Sequence, residues 1–152
     1  MAGITSALCT SFKVELLEGD HDFNNGADAF KVALFKANAS ITGTYDATTT
    51  NYSNVTGNSD ELPNGSGYTT GGYALTNVNP TSSGTTAFTD FSANAAWSSA
   101  TFTTRGCIIY NTSDGNSAVA VINFGADYSV SGGTFEIQWP TADSSNAIIR
   151  IA

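Results

Sequence analysis

Apolar residues in this chain fall in short runs separated by polar stretches, and the period within each run changes along the sequence. In ITSALCTSFKVELLE (4–18), Leu8, Phe12 and Leu16 recur at i, i+4 and i+8, the spacing that lines one face of a helix. Thr5 or Ser6 would cap its start and Gly19 would stop it. Phe12, Val14 and Leu16 also alternate, so a strand over SFKVELL competes. The spacing, with its cap and stop, favours a short N-terminal helix over about 4–18. After the polar turn GDHDFNNGAD (19–28), DAFKVALFKA (28–37) sets Phe30, Val32 and Leu34 against Lys31, Ala33 and Phe35, the alternation of a strand.

The stretch 38–70 is poor in apolar residues, with Tyr45, Tyr52, Val55 and Leu62 as anchors beside Ile41 and Tyr68. It predicts a long surface excursion with one short helix around 48–54. From Gly71 onward the pattern is regular: GYALTNV (72–78), TTAFTDF (85–91), SATFTT (99–104), GCIIYN (106–111), AVAVINFG (118–125), GTFEIQW (133–139) and AIIRIA (147–152). Between them stand breakers such as Ser113-Asp114-Gly115-Asn116 and Ser131-Gly132-Gly133. Short strands at this spacing predict a mainly β chain, an antiparallel β-sandwich or jelly-roll-like domain with a short N-terminal helix. No repeat or linker divides it, so residues 1–152 read as one domain. AVAVINF is apolar on both faces, which predicts a central strand covered on both sides.

Composition narrows the possible functions. Ser, Thr and Asn supply 52 of the 152 residues and Leu, Ile, Val and Phe only 31, a lean core for a chain of this length. Thirteen acids against five cations give a net charge of −8. Lys13, Lys31, Lys36, Arg105 and Arg150 are scattered, so nucleic acid is not an expected partner. No apolar run is long enough for a bilayer and the N-terminus carries no secretion pattern, so neither membrane insertion nor export is expected. Cys9 and Cys107 suit a reducing compartment as buried, unbridged thiols.

Candidate chemistry is sparse. With His21 as the single histidine, in an acidic turn and without a nucleophile motif, no catalytic residues are assigned and an exposed turn histidine is expected. Most acids fall in turns, including Asp20, Asp22, Asp46, Asp60, Glu61, Asp114 and Asp143, where Asp hydrogen-bonds its own backbone. Asp20, Asp22 and Asn24 echo positions 1, 3 and 5 of a calcium loop, but Asn25 replaces the glycine of position 6 and Lys31 the acid of position 12. No metal and no cofactor is therefore expected. Arg105 is expected to anchor a turn or pair with a carboxylate, and Trp139 to pack. Trp97 is open to either packing or sugar stacking.

One succession of segments goes further: FKVALF (30–35), GYTTGGYAL (67–75), AFTDF and WSSATF (87–102), RGCIIYN (105–111), INFGADYSVSGGTFEIQWP (122–140) and AIIRIA (147–152). In this order, over nearly the whole chain except 38–66, it resembles a family of small virion structural proteins of tailed bacteriophages, of the capsid decoration or cement type. The resemblance implies a non-enzymatic protein made in the host bacterial cytoplasm and located on the capsid surface. It implies a homo-oligomer, taken as a trimer, that clamps the major capsid protein of an HK97-type shell. A tail or fibre component that binds host glycan is the alternative. The N-terminal helix and the 38–70 excursion are the segments expected to reach a neighbour, with Leu8, Phe12, Tyr45, Tyr52, Leu62 and Trp97 as interface residues.

Overall fold

The computed structural model describes residues 2–152. Its elements run β1 (Gly3–Ile4), β2 (Ala7–Leu8), α1 (Thr10–Glu18), β3 (Phe30–Lys36), β4 (Thr44–Tyr45), α2 (Ser53–Gly57), β5 (Tyr73–Ala74), β6 (Thr81–Ser83), β7 (Thr86–Thr89), β8 (Ala95–Asn111), β9 (Ser117–Ile137) and β10 (Ile149–Ile151). With 46% strand and 11% helix, the chain is a mainly β, sandwich-like domain. The main sheet has the order β2-β9-β8-β3-β5, a second sheet the order β10-β7-β6, and β1 pairs with β4 in a small parallel contact. Among the described residues no helix is long and apolar enough to cross a membrane.

The alternation in β3 is realised on both faces. Phe30, Val32 and Leu34 are buried on one side, Ala33 and Phe35 on the other, and β3 lies between β8 and β5. The Phe30 face meets Phe23, in stacked contact at 4.4 Å, and Phe91 at 6.2 Å. These come from the turn after α1 and the end of the second sheet. The opposite face is roofed by the 38–70 segment, with Tyr45 against Phe35 at 4.7 Å and Tyr52 stacked on Tyr110 at 4.3 Å. The expected surface excursion is thus a layer of the sandwich. Its anchors Ile41, Tyr45, Val55, Leu62 and Tyr68 point into the core, and its short helix is α2, a few residues later than expected.

The N-terminal helix is six residues shorter than the sequence pattern suggested, starting at Thr10. Residues before Thr10 are drawn into the sheets instead: Ala7 and Leu8 pair with Val121 and Ala120, and the Cys9 amide donates to the Val119 carbonyl at 3.0 Å. Sheet pairing of a short segment outweighs its weak intrinsic helicity. Gly19 ends the helix as expected, left-handed at φ 89, its amide donating to Glu15. Phe12 is buried, while Val14 and Leu17 face outward at 51% and 89% exposure.

The largest departure lies in the hairpin. Two strands expected on each side of Arg105 form one strand, β8, and the two expected around Ser131-Gly132-Gly133 form one strand, β9. They pair from Ala95 opposite Ile137 to Asn111 opposite Ser117, with register shifts at Trp97/Ala100, Ala100/Thr101, Thr104/Gly106 and Ile109/Tyr110, the third leaving 124–127 without partners on β8. Gly132, part of an expected turn, is the extra residue of a bulge. Gly125 and Gly132 have φ of 83 and 66. At Gly106 a side chain is excluded, because a Cβ would lie 2.3 Å from the Ile122 carbonyl oxygen. Arg105 lies 3.8 Å from Asp127 across the widest irregularity, the carboxylate pairing expected of it. Val119, Val121, Ile108 and Ile109 in the inner half are fully buried, each contributing about 1.5–3 kcal/mol.

Two glycine substitutions separate close backbone approach from conformational preference. Gly106→Ala should lose about 2–3 kcal/mol to backbone overlap. Gly132→Ala, with open space around its Cβ position, should lose only about 1 kcal/mol for the left-handed conformation. Urea denaturation measures both; equal losses would contradict the bulge geometry.

Candidate functional site

The six residues expected at an interface do not converge on one surface. Phe12, Tyr45, Leu62 and Trp97 are buried in the chain's own core and offer nothing to a partner. Trp97 contacts Tyr73 at 5.6 Å, Tyr68 at 6.0 Å and Phe135 at 6.0 Å, so its faces are not available for stacking on sugar. Leu8 and Tyr52 are half-buried and pack against the same core. The reason is common to the four aromatics among them. A core poor in aliphatic residues draws in its aromatics, including those from segments that look like surface loops.

Two adjacent acids, Asp60 and Glu61, hold the 38–72 layer in place. Both read as turn acids in sequence, and both are buried. Asp60 accepts from the Thr42 and Gly43 amides at 3.0 and 2.8 Å and from the Tyr45 hydroxyl at 2.5 Å. Glu61 accepts from the Tyr68 hydroxyl and the Gly71 amide, each at 2.7 Å, and from the Tyr52 hydroxyl. Burial alone would raise the Asp60 carboxyl, but its bonds from Tyr45, Gly43 and Thr42 outweigh that and hold it below the usual aspartate value. Tyr68, Tyr52 and Tyr45 are pushed above the ordinary phenol value, first by burial and then by the acids they contact. Burial also pushes Tyr110 up to about 12, with the Glu61 charge adding to it. The only sequence signal for this network is four tyrosines in 45–73 around an acidic pair; without the fold it resembles loop composition.

The single histidine is the second departure. His21 is buried at 6% exposure, not on the surface of its turn, and its ring lies 5.0 Å from that of Phe12. Asn111 fixes its tautomer. The Asn111 Oδ1 accepts from the Ser113 and Asp114 amides, so its Nδ2 donates, to Asp28 at 2.8 Å and to His21 Nδ1 at 2.9 Å. His21 Nε2 then donates to Glu15 at 2.9 Å. Glu15, His21 and Asp114 have ligand atoms within 4.8 Å of one another, a spacing that suits a metal ion. A metal on Nε2 would need the proton on Nδ1, where Asn111 presents a donor instead of the acceptor that ligating histidines use. The arrangement fits a structural clasp between α1, the 20–28 turn and the β8–β9 turn. In that acidic turn, Asp22 caps Asn24 at 2.9 Å and Asp28 accepts the Asp22 amide at 2.9 Å, so these two carboxylates are committed to hydrogen bonds within the fold. Cys9 and Cys107 are free and buried as expected. Burial, followed by the Glu15 and Asp46 charges, pushes the Cys9 thiol up to about 12, far from thiolate reactivity.

An apolar surface feature lies on the outer half of β9. A groove of about 370 Å³ is lined by Ile122, Phe124, Tyr128, Phe135, Trp139 and Ile148, with Glu136 as its single charged residue. Phe135, Ile137 and Trp139 are half-buried while Thr134, Glu136 and Gln138 are exposed, the alternation read from the sequence. Trp139 packs on Phe91 at 5.4 Å and donates through Nε1 to the Ala93 carbonyl. Comparison of the chain with protein-family models, characterised proteins and solved structures finds no match.

Two variants and one titration test the buried carboxylates. Tyr68→Phe removes the donor to Glu61 and the acceptor of the Leu34 amide and should cost about 2–3 kcal/mol. Tyr110→Phe loses one bond to the Gly71 carbonyl and should cost about 1 kcal/mol. The lowered Asp60 value means that the unfolded chain takes up its proton first. Stability from Asp60 is therefore complete above the usual aspartate pKa, about 3.9, and is lost as pH falls through the lower folded value. Asp60→Asn should flatten the pH dependence of urea stability below about pH 4; an unchanged slope would contradict this assignment.

Proposed function

We propose that this chain is a virion structural protein of a tailed bacteriophage, a capsid decoration or cement protein that associates with itself and braces the major capsid protein. Support comes from the ordered succession of segments from FKVALF to AIIRIA, and from the polar identity of a chain with a net charge of −8. The observation that carries the reading furthest is apolar surface the domain leaves uncovered. Leu17 and Val14 on α1, Ile151 on β10 and Tyr128 on β9 are 89%, 51%, 57% and 51% exposed, and the apolar groove lies beside Tyr128. Scattered exposed apolar residues are common on monomers, but a contiguous groove marks a contact surface. A cement protein needs such surface on several sides, because it touches both its own copies and the shell. Weak contacts repeated many times give lattice-wide stabilisation by mass action. The alternative is a tail or fibre component that binds host glycan; Trp97 is buried and gives that reading no stacking surface.

Purified particles test this. A decoration protein should be present in hundreds of copies, and particles lacking it should lose integrity on heating or in low salt. Copy numbers of a few dozen confined to the tail, or unchanged particle resistance, would contradict the proposal.

A further inference from the structure

Beyond Asn123, whose amide donates to Ser6 Oγ and whose side-chain amide donates to the Ile4 carbonyl, β9 has one open side. Its inner residues Ala120 and Val121 pair with β2 on one side, and its pairing with β8 on the other continues as far as Ile137. Among the described residues no strand pairs with the outer edge of β9 from Phe124 to Ile137. About half of the main-chain groups in such a segment face outward, and an unprotected edge of this length is a template for another strand. Directly beside it is the apolar groove of Phe124, Phe135 and Trp139, with Glu136 at its rim.

We propose that this edge and groove bind an extended segment of a partner protein by strand addition. Main-chain hydrogen bonds to β9 supply affinity, alternate apolar side chains enter the groove, and a lysine or arginine meets Glu136. The charge pattern selects this occupant over a second copy. Glu136 is exposed, bonded only to Asn94 and Gln138 amides, and is the one charge in the lining. A second copy would bring another Glu136 and a further net charge of −8 to the same edge, and like charges brought together on paired strands are destabilising. The inference stands on the edge and the groove and is independent of the virion reading.

The test uses the full chain, labelled with 15N, and synthetic capped octapeptides of alternating valine and threonine carrying one lysine at each position in turn. Amide shifts should be confined to 122–139. The best lysine peptide should bind about two- to fivefold more tightly than the same peptide with glutamate, and methylation of its alternate backbone amides should abolish binding. Glu136→Lys, at an exposed position, should reverse the lysine-over-glutamate preference. No shifts with any peptide, equal binding of the lysine and glutamate peptides, or shifts of the same amides on concentration-dependent dimerisation without peptide would each overturn the proposal.

Discussion

The β8–β9 hairpin is the constraint on which the rest of the molecule depends. Its inner half, around Gly106–Asn111 and Ser117–Asn123, is the centre of the main sheet and takes β3 on one side and β2 on the other. Its turn supplies Asn111, which orients His21 and so ties α1 to the sheet. Its outer half supplies Trp97, Phe102 and Phe135, on which Tyr68 and Tyr73 settle. A long antiparallel pair is a demanding core to form, because its outermost contacts close the largest loops. Once formed, it fixes the register of everything that packs on it.

A lean core is compensated by polar groups used as internal structure. Leu, Ile, Val and Phe are few, so tyrosines fill volume and bring hydroxyls inside with them, and those hydroxyls need partners. Asp60 and Glu61 are those partners, satisfied by phenols and backbone amides. His21 is handled the same way, buried among Phe12, Phe23 and Phe30 with both nitrogens bonded. A half-satisfied buried network would be worse than an apolar core, so these clusters specify one arrangement of loops that sequence composition alone describes as loose.

Much of the fold was legible because periodicity reports burial. The β3 alternation, the two-faced AVAVINF segment, the Gly19 stop and the alternation through Trp139 all follow from side-chain period. What was illegible is the difference between a glycine that ends a strand and one that bends it. Gly132 has the same local chemistry as a turn glycine, and only the partner strand reveals it as a bulge. Burial of Tyr45, Trp97, Asp60 and His21 was hidden for a related reason. Each depends on residues distant in sequence, such as Thr42 with Asp60 or Asn111 with His21. The apolar groove was half visible, in the Phe135, Ile137, Trp139 stripe, but its open edge is a property of topology.

A protein built this way has a rigid inner sheet and an outer hairpin half bonded on one side only. Hydrogen–deuterium exchange resolved at single amides measures that difference directly. In the isolated protein, amides of 107–111 and 118–121 should exchange slowly without exception. Along 128–137 slow amides bonded to β8 should alternate with fast ones on the open edge. Uniform protection through 128–137 would show that edge to be covered by the chain itself, and uniformly fast exchange there would show that the two strands do not form one continuous hairpin.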